Sequence, residues 1–165
     1  MKAIIAISKN RAIGLNGKLP WGNVYKDDFK WFKEFTMGKT LVVGWNTFNS
    51  LPRLKGRRGI VLDKKWDGNI MYDIENPFDW LDIKNPRPVW NGAEYTFNPN
   101  DYPDAIVAGG KKTYEFLMPY ITEFYVTHID RDYEGDVFMS EFEHNFNKQE
   151  VVLEFDFGKV IKYFK

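Results

Sequence analysis

The stretch VYKDDFKWFKEFT (24–36) sets two adjacent carboxylates, Asp27 and Asp28, in front of four aromatic rings. At about 100° per helical residue, Asp28 falls inside the stripe formed by Trp31, Phe32 and Phe35, with Phe29 to one side. Asp27 falls with Lys26, Lys30, Lys33 and Glu34 on the polar side. A carboxylate on an apolar face must be paired or must keep its proton to higher pH, because an unpaired buried charge costs several kcal/mol. That is the behaviour of a group kept for chemistry. The plainer reading is that both acids favour the helix dipole from its first turn. Helical spacing alone leaves the two readings level.

Other residues of chemical interest lie in glycine-rich turns. Upstream of the acids, NRAIGLNGKLPWG (10–22) carries Gly14, Gly17 and Gly22, the turn pair Asn16-Gly17 and a Pro20-Trp21 stop, and reads as a mobile lid ending in a rigid aromatic. Gly109-Gly110 ends an apolar run and opens a helical one, so backbone N–H groups of Lys111, Lys112 and Thr113 can meet a pyrophosphate, although a plain tight turn has the same sequence. Arg53, Lys55, Arg57 and Arg58 form a basic cluster. It is short and lacks interleaved stacking aromatics, which argues against nucleic acid.

The elements that must position these residues follow from the apolar pattern. AIIAI (3–7), TLVVG (40–44), GIVL (59–62) and AIVAG (105–109) are nearly continuous in Ile, Val and Ala, the pattern of strands buried on both faces of a parallel sheet. Helices are expected at 26–35, 45–50 and 111–118, the last stopped by Pro119. EFYVTHI (123–129) and the pair VVLEF…VIKYF around Phe157-Gly158-Lys159 read as antiparallel strands with a hairpin. The expected fold class is α/β, a central mixed, mostly parallel sheet flanked by helices with an antiparallel C-terminal hairpin. One domain is expected over residues 1–165. Between 63 and 104, Pro77, Pro86, Pro88, Pro99 and Pro103 interrupt every candidate element, leaving loop, short helix and short strand of unknown role. Trp66, Trp80 and Trp90 there read as local core.

Composition narrows the function. Lysine plus arginine equals aspartate plus glutamate at 23 each, so no net field favours nucleic acid or a membrane surface, and small-molecule partners are expected. With no cysteine and two histidines, His128 and His144, neither a disulfide framework nor a histidine or thiolate metal site is expected. The apolar run at 3–7 is too short for a signal segment, and no run approaches the roughly 20 residues of a membrane span, so a cytoplasmic protein is expected.

Taken in order, the strand AIIAIS, the glycine-rich loop closing on LPW and the helix with D-x-x-x-F resemble the N-terminus of the dihydrofolate reductase family. The similarity continues in TLVVGWNTFNSL (40–51), like that family's strand and G-x-x-T-x-x-S-[IL]. It extends through LKGRRGIVL (54–62), IVAGGKKTYEFLMP (106–119) and YVTHIDRDYEGDVFM (125–139), which resemble its L-P-G-R, G-G-x-x-x-Y-x-x-x-[LM]-P and T-H-[IV]…G-D segments. Linked motifs in order are far more specific than any one alone.

The resemblance implies reduction of dihydrofolate by NADPH, in a monomer that also takes folate-like inhibitors. Asp28 then matches the carboxylate that grips the pterin's N3-H and 2-amino edge and helps N5 gain its proton, and Thr127 the hydroxyl that holds it. Trp21 matches the lid aromatic near the reacting rings, Phe32 the ring on the aminobenzoyl group, and Arg57 the bidentate partner of the glutamate tail. Ile4, Ile5, Lys33 and Leu51 complete the implied substrate set. The implied cofactor set is Ala6, Ile13, Gly14, Gly44, Trp45, Asn46, Thr47, Leu62, Asp63, Lys64, Ala108, Gly109, Gly110, Lys111, Lys112, Thr113 and Tyr114, with a cis bond at Gly109-Gly110. Two positions depart from the family: Trp45 replaces a basic residue that commonly pairs with the 2′-phosphate of NADPH, and Asp63 replaces a small hydroxyl residue. Lys64 and Lys65 could compensate, and NADH is the alternative cofactor. A reductase of the same fold acting on another pterin or a riboflavin-pathway pyrimidine, and a non-catalytic folate-binding protein, are the alternatives for function.

Overall fold

The computed structural model describes residues 1–51, 54–63, 70–74 and 97–165. In chain order its elements are β1 (Lys2–Ser8), β2 (Ala12–Gly14), α1 (Lys26–Thr36), β3 (Thr40–Gly44), α2 (Trp45–Ser50), β4 (Arg58–Asp63), β5 (Ile70–Ile74), β6 (Ile106–Val107), α3 (Lys111–Leu117), β7 (Glu123–Ile129), β8 (Val137–Phe138), β9 (Lys148–Phe155) and β10 (Gly158–Phe164). They fall into two compact units, one of Met1 and Thr36–Tyr120, the other of Lys2–Phe35 and Ile121–Lys165.

In the first unit, β3 lies between β4 and β6 and runs parallel to both, with Leu41 opposite Gly59 and Ile106. The continuous apolar runs have the meaning expected of them, since Leu41, Val42, Val43, Ile60, Val61 and Val107 are wholly buried. β5 adds an antiparallel edge to β4, with Asp63 opposite Ile70. The strand expected over 105–109 is shorter than its apolar run. Ala108 N still donates to Val42 O at 2.9 Å, but Gly109, at φ 123°, turns the chain out of the sheet. α3 gives way at Met118 to a short 3₁₀ turn, Met118–Tyr120, where Pro119 has no N–H to continue it. Within the irregular segment, the described parts are β5 and a 3₁₀ turn at Pro99–Asp101, next to which Phe97 stacks on Tyr102 at 5.6 Å. Trp66, Trp80 and Trp90 lie outside the described residues.

In the second unit, β7 pairs parallel with β1 and antiparallel with β10, and β10 pairs antiparallel with β9. The hairpin turns at Asp156-Phe157, slightly before the expected place, because Phe155 pairs with Gly158. A side chain at 158 would run into the His128 carbonyl, so the strand can begin there only with glycine. β9 starts at Lys148, earlier than the apolar pattern indicates, because Lys148 to Val152 are all exposed. Alternate residues of β7 serve two faces. Tyr125 meets Phe35 and Trp31 of α1, at 4.5 and 6.2 Å between ring centroids, while Phe124 meets Phe142 at 4.8 Å.

The glycine-rich loop is more regular than its sequence suggests. β2 and β8 form a small antiparallel ribbon, with Ala12 opposite Phe138. Beyond it, Leu15 and Lys18 exchange both backbone hydrogen bonds, at 2.8 and 3.0 Å, around Asn16 (φ 52°) and Gly17 (φ 76°). These angles are those of a two-residue hairpin turn, for which Asn-Gly is the preferred pair. Asp136 fastens the segment from outside: its N–H donates to Gly14 O and its carboxylate accepts from Asn16 N, both at 2.9 Å. Such short strands leave too brief an alternation to be read from sequence.

Candidate active site

In the second unit, α1 and β7 place one carboxylate against one hydroxyl. Asp28 is 9% exposed, and Thr127 Oγ1 donates to its Oδ1 at 2.7 Å. Asp27, the next residue, is exposed, which resolves the ambiguity of the paired acids in favour of Asp28. Burial pushes the Asp28 carboxyl above the ordinary aspartate range, and the Thr127 bond pulls it part of the way back. Among the described residues no cation pairs with it, and no donor other than Thr127 reaches it. Its second oxygen remains an acceptor for a planar donor edge.

Neighbouring expected residues are distributed as follows. Ile4 and Ile5 are buried on β1 opposite Tyr125 and Val126, and Ala6 lies opposite Thr127. Phe32, one turn beyond Asp28, is half-buried, while Lys33 and Phe29 on the same helix are exposed. Ile13 and Gly14 lie on the ribbon strand β2, and Trp21 is 4% exposed. Trp31, a member of the aromatic stripe, holds its Nε1 buried with no hydrogen-bond acceptor among the described residues.

In the first unit, Arg57 is 4% exposed yet has no carboxylate partner among the described residues. Its Nε donates to Lys55 O at 3.0 Å and its Nη1 to Thr36 Oγ1 at 3.2 Å. Burial lowers its pKa, but a guanidinium stays charged in proteins. A buried cation whose partners among the described residues are neutral acceptors suits an anion from outside the chain. Thr36 was not foreseen; a threonine closing a polar–aromatic helix carries no distinctive signal. Leu51, half-buried, ends α2 with its N–H on Thr47 O at 3.0 Å.

The same unit builds a backbone cradle where β3 and β6 end. Gly44 N donates to Gly109 O at 2.8 Å, and the Gly109-Gly110 bond is cis. A Cβ on Gly44 would stand 2.8 Å from Thr113 Oγ1, and one on Gly110 2.9 Å from Thr47 Oγ1. Gly44, Thr47, Gly109, Gly110 and Thr113 are thus brought together, with Tyr114 fully buried behind them. Neither Gly44 nor Gly110 offers a side chain to cap the helix it opens. Ala108 and Lys111 flank the pair half-buried, and Leu62 is buried at the end of β4. Trp45, half-buried, lies 6.1 Å from Phe48, whereas Asn46 and Lys112 are exposed. Asp63 closes β4, and Lys64 lies outside the described residues.

The cradle carries a steric prediction. Gly44→Ala should lower unfolding free energy by about 1–3 kcal/mol, as overpacking does, and weaken dinucleotide binding. Adding Thr113→Ala should restore part of the stability in denaturant melts. If the single variant is as stable as the wild type, Thr113 does not close on Gly44.

Comparison with known sequences agrees with this geometry. The family model described as Dihydrofolate reductase matches residues 1–154. A dihydrofolate reductase of Buchnera aphidicola subsp. Acyrthosiphon pisum is 32% identical over 144 residues, covering 84% of this chain and 78% of the relative. That of Neisseria gonorrhoeae is 31% identical over 140 residues, covering 84% and 77%. That of Bacillus subtilis is 30% identical over 143 residues, covering 86% and 76%. With its motifs, its α/β fold and a match that spans nearly its whole length, this chain belongs to the dihydrofolate reductase family.

Proposed function

We propose that this chain is a dihydrofolate reductase that converts dihydrofolate to tetrahydrofolate with NADPH, using Asp28 to anchor the pterin and to assist protonation at N5. The observation that carries the reading is the buried Asp28 carboxylate, held by one hydroxyl at 2.7 Å and by no cation among the described residues. A carboxylate offers two acceptors to the pterin's paired N3-H and 2-amino donors. Its negative charge, poorly solvated in the free protein, favours a proton on the bound ring. Thr127 fixes the rotation of the carboxylate, so the acceptor pair is oriented before substrate arrives. Phe32 supplies a flat apolar surface for the aminobenzoyl group, and Arg57 receives the glutamate carboxylate.

NADPH is the reductant of the family, and the cradle at Gly44 and Gly109-Gly110 fits it, because the helices that open at Trp45 and Lys111 have no side-chain cap and leave first-turn backbone N–H groups for a pyrophosphate. Bound there it supplies the hydride. The residues that would hold it are Gly44, Thr47, Gly109, Gly110 and Thr113. The chain's neutral charge supports small molecules as partners, and no helix among the described residues is long and apolar enough to cross a membrane. A monomer acting in the cytoplasm, and open to folate-like inhibitors with a protonated amidine edge, completes the reading.

Folate binding tests the anchor directly. Titration with folate should quench the intrinsic tryptophan fluorescence in the wild type and in Asp27→Asn alike, with Kd raised at least tenfold in Asp28→Asn. Equal affinity in all three would remove Asp28 from the site.

Trp45 makes a separate prediction. A charge-assisted hydrogen bond to a 2′-phosphate contributes about 1.5–3 kcal/mol, or roughly ten- to a hundredfold in affinity. Tryptophan can stack on adenine but carries no charge to pair with that phosphate. Trp45→Arg should therefore raise the preference for NADPH over NADH in Kd measured by cofactor fluorescence. A wild type that already discriminates strongly, and loses the preference in a Lys64→Ala, Lys65→Ala double variant, would place phosphate recognition on those lysines.

A further inference from the structure

Trp21, Tyr25, Tyr133 and Phe157 form an aromatic cluster in the second unit. Trp21 touches Tyr25 and Tyr133, with ring centroids 6.3 and 5.7 Å away, and the two tyrosine rings meet edge-to-face at 88°. Their hydroxyls share a hydrogen bond. Tyr25 also packs on Phe157 at 4.4 Å, which stacks on Phe155 at 4.8 Å. The cluster thus ties three stretches of the second unit: the end of the glycine-rich loop, the turn after β7, and the C-terminal hairpin.

We propose that Tyr133 and Tyr25 are positioning residues for the reduction, their shared hydroxyl bond fixing the first turn of α1 and the ring of Trp21 so that Asp28 stays seated on Thr127. This rests on the roles given above to Asp28 and Trp21.

The geometry gives each tyrosine a distinct part. Tyr133 is the fixed member. Asn10 holds its backbone at both groups, accepting from Tyr133 N at 3.0 Å and donating to Tyr133 O at 2.8 Å. Asn10 is itself held by Ser8 Oγ at 2.5 Å, and that hydroxyl accepts from Ala12 N at 2.8 Å. The Arg131 guanidinium covers the Tyr133 ring at 5.3 Å. Tyr25 is the guided member, and its carbonyl begins the helix by accepting from Asp28 N at 3.2 Å and Phe29 N at 3.3 Å. A rotation at Tyr25 therefore passes directly to the backbone that carries Asp28. Ring packing alone tolerates sliding and tilting, whereas a hydroxyl bond is directional. Burial, with the partner hydroxyl, pushes the Tyr25 phenol up to about 12, so its proton stays in place through the neutral range.

Phenylalanine separates the bond from the rings. Tyr133→Phe and Tyr25→Phe should each lower kcat for dihydrofolate by roughly three- to tenfold, the scale of one lost hydrogen bond. KM for NADPH should be unchanged. The double variant should lose no more than either single one, because both remove the same bond. Tyr133→Leu, which also removes the ring, should red-shift the Trp21 emission, read as the difference from the same protein carrying Trp21→Phe. A purely structural role would lower the melting temperature and leave kcat at 25 °C untouched; that result, or additive losses in the double variant, would overturn the proposal. A wild type that does not turn over dihydrofolate would instead overturn the proposed function.

Discussion

Asp28→Asn is expected to lower kcat for dihydrofolate by roughly 10²- to 10³-fold while making the unliganded protein more stable at neutral pH. The amide can still accept from Thr127, so the helix and its contact with β7 survive. It cannot present two acceptors to the pterin edge, and it brings no negative charge to favour the proton at N5. The gain in stability follows from linkage. Burial raises the Asp28 pKa in the folded protein, so the folded state holds this proton more strongly than the unfolded chain does. Stability from that proton is fully present below the unfolded pKa and is lost as pH rises through the folded pKa. At neutral pH the wild type therefore bears an unfavourable buried charge that asparagine lacks. Thermal melts should show the variant ahead at neutral pH and level with the wild type below the ordinary aspartate range. Asp27→Asn, on the exposed face, should change neither quantity appreciably. Equal losses of activity at the two positions would mean that the wrong helix face has been assigned.

Arg57→Lys is expected to raise KM for dihydrofolate roughly tenfold or more and to leave kcat within about threefold. The guanidinium is buried and oriented through Nε and Nη1 by Lys55 O and Thr36 Oγ1, which leaves part of its donor fork for a carboxylate. Lysine keeps the charge but loses the planar pair of donors. In its proposed role the contact is with the glutamate tail, remote from the reacting ring, so it would stabilise ground and transition states equally and appear in KM. Pteroate, which lacks the glutamate, should be indifferent to the change. A pteroate penalty as large as that for dihydrofolate would assign Arg57 to structure alone, as a brace on Thr36.

Legibility from sequence followed burial. The strands β1, β3 and β4 were readable because their residues are buried on both faces and so nearly all apolar. The edge strand β9 was readable only in part, since exposed residues such as Lys148 and Glu150 carry no apolar signal. Neither strand of the β2–β8 ribbon, three and two residues long, is long enough to show alternation. In the site, Asp28 could be picked from its neighbour by helical periodicity, and Gly109-Gly110 by its place between strand and helix. Thr36 and Tyr133 could not. The roles proposed for them rest on side-chain contacts to residues distant in sequence, Arg57 for Thr36 and Tyr25 for Tyr133. No local pattern encodes such a contact. The assignments at Lys64 and Lys65 fall outside the described residues and rest on sequence alone.

The most direct test of the central claim is the consumption of NADPH by the purified chain when dihydrofolate is added, followed by absorbance with the product identified by mass. The expected result is one NADPH oxidised for each dihydrofolate converted to tetrahydrofolate, with negligible oxidation when dihydrofolate is omitted and turnover nearly abolished in the folded Asp28→Asn variant. A folded wild type that leaves NADPH unchanged, or that oxidises it equally fast without dihydrofolate, would contradict the proposed function.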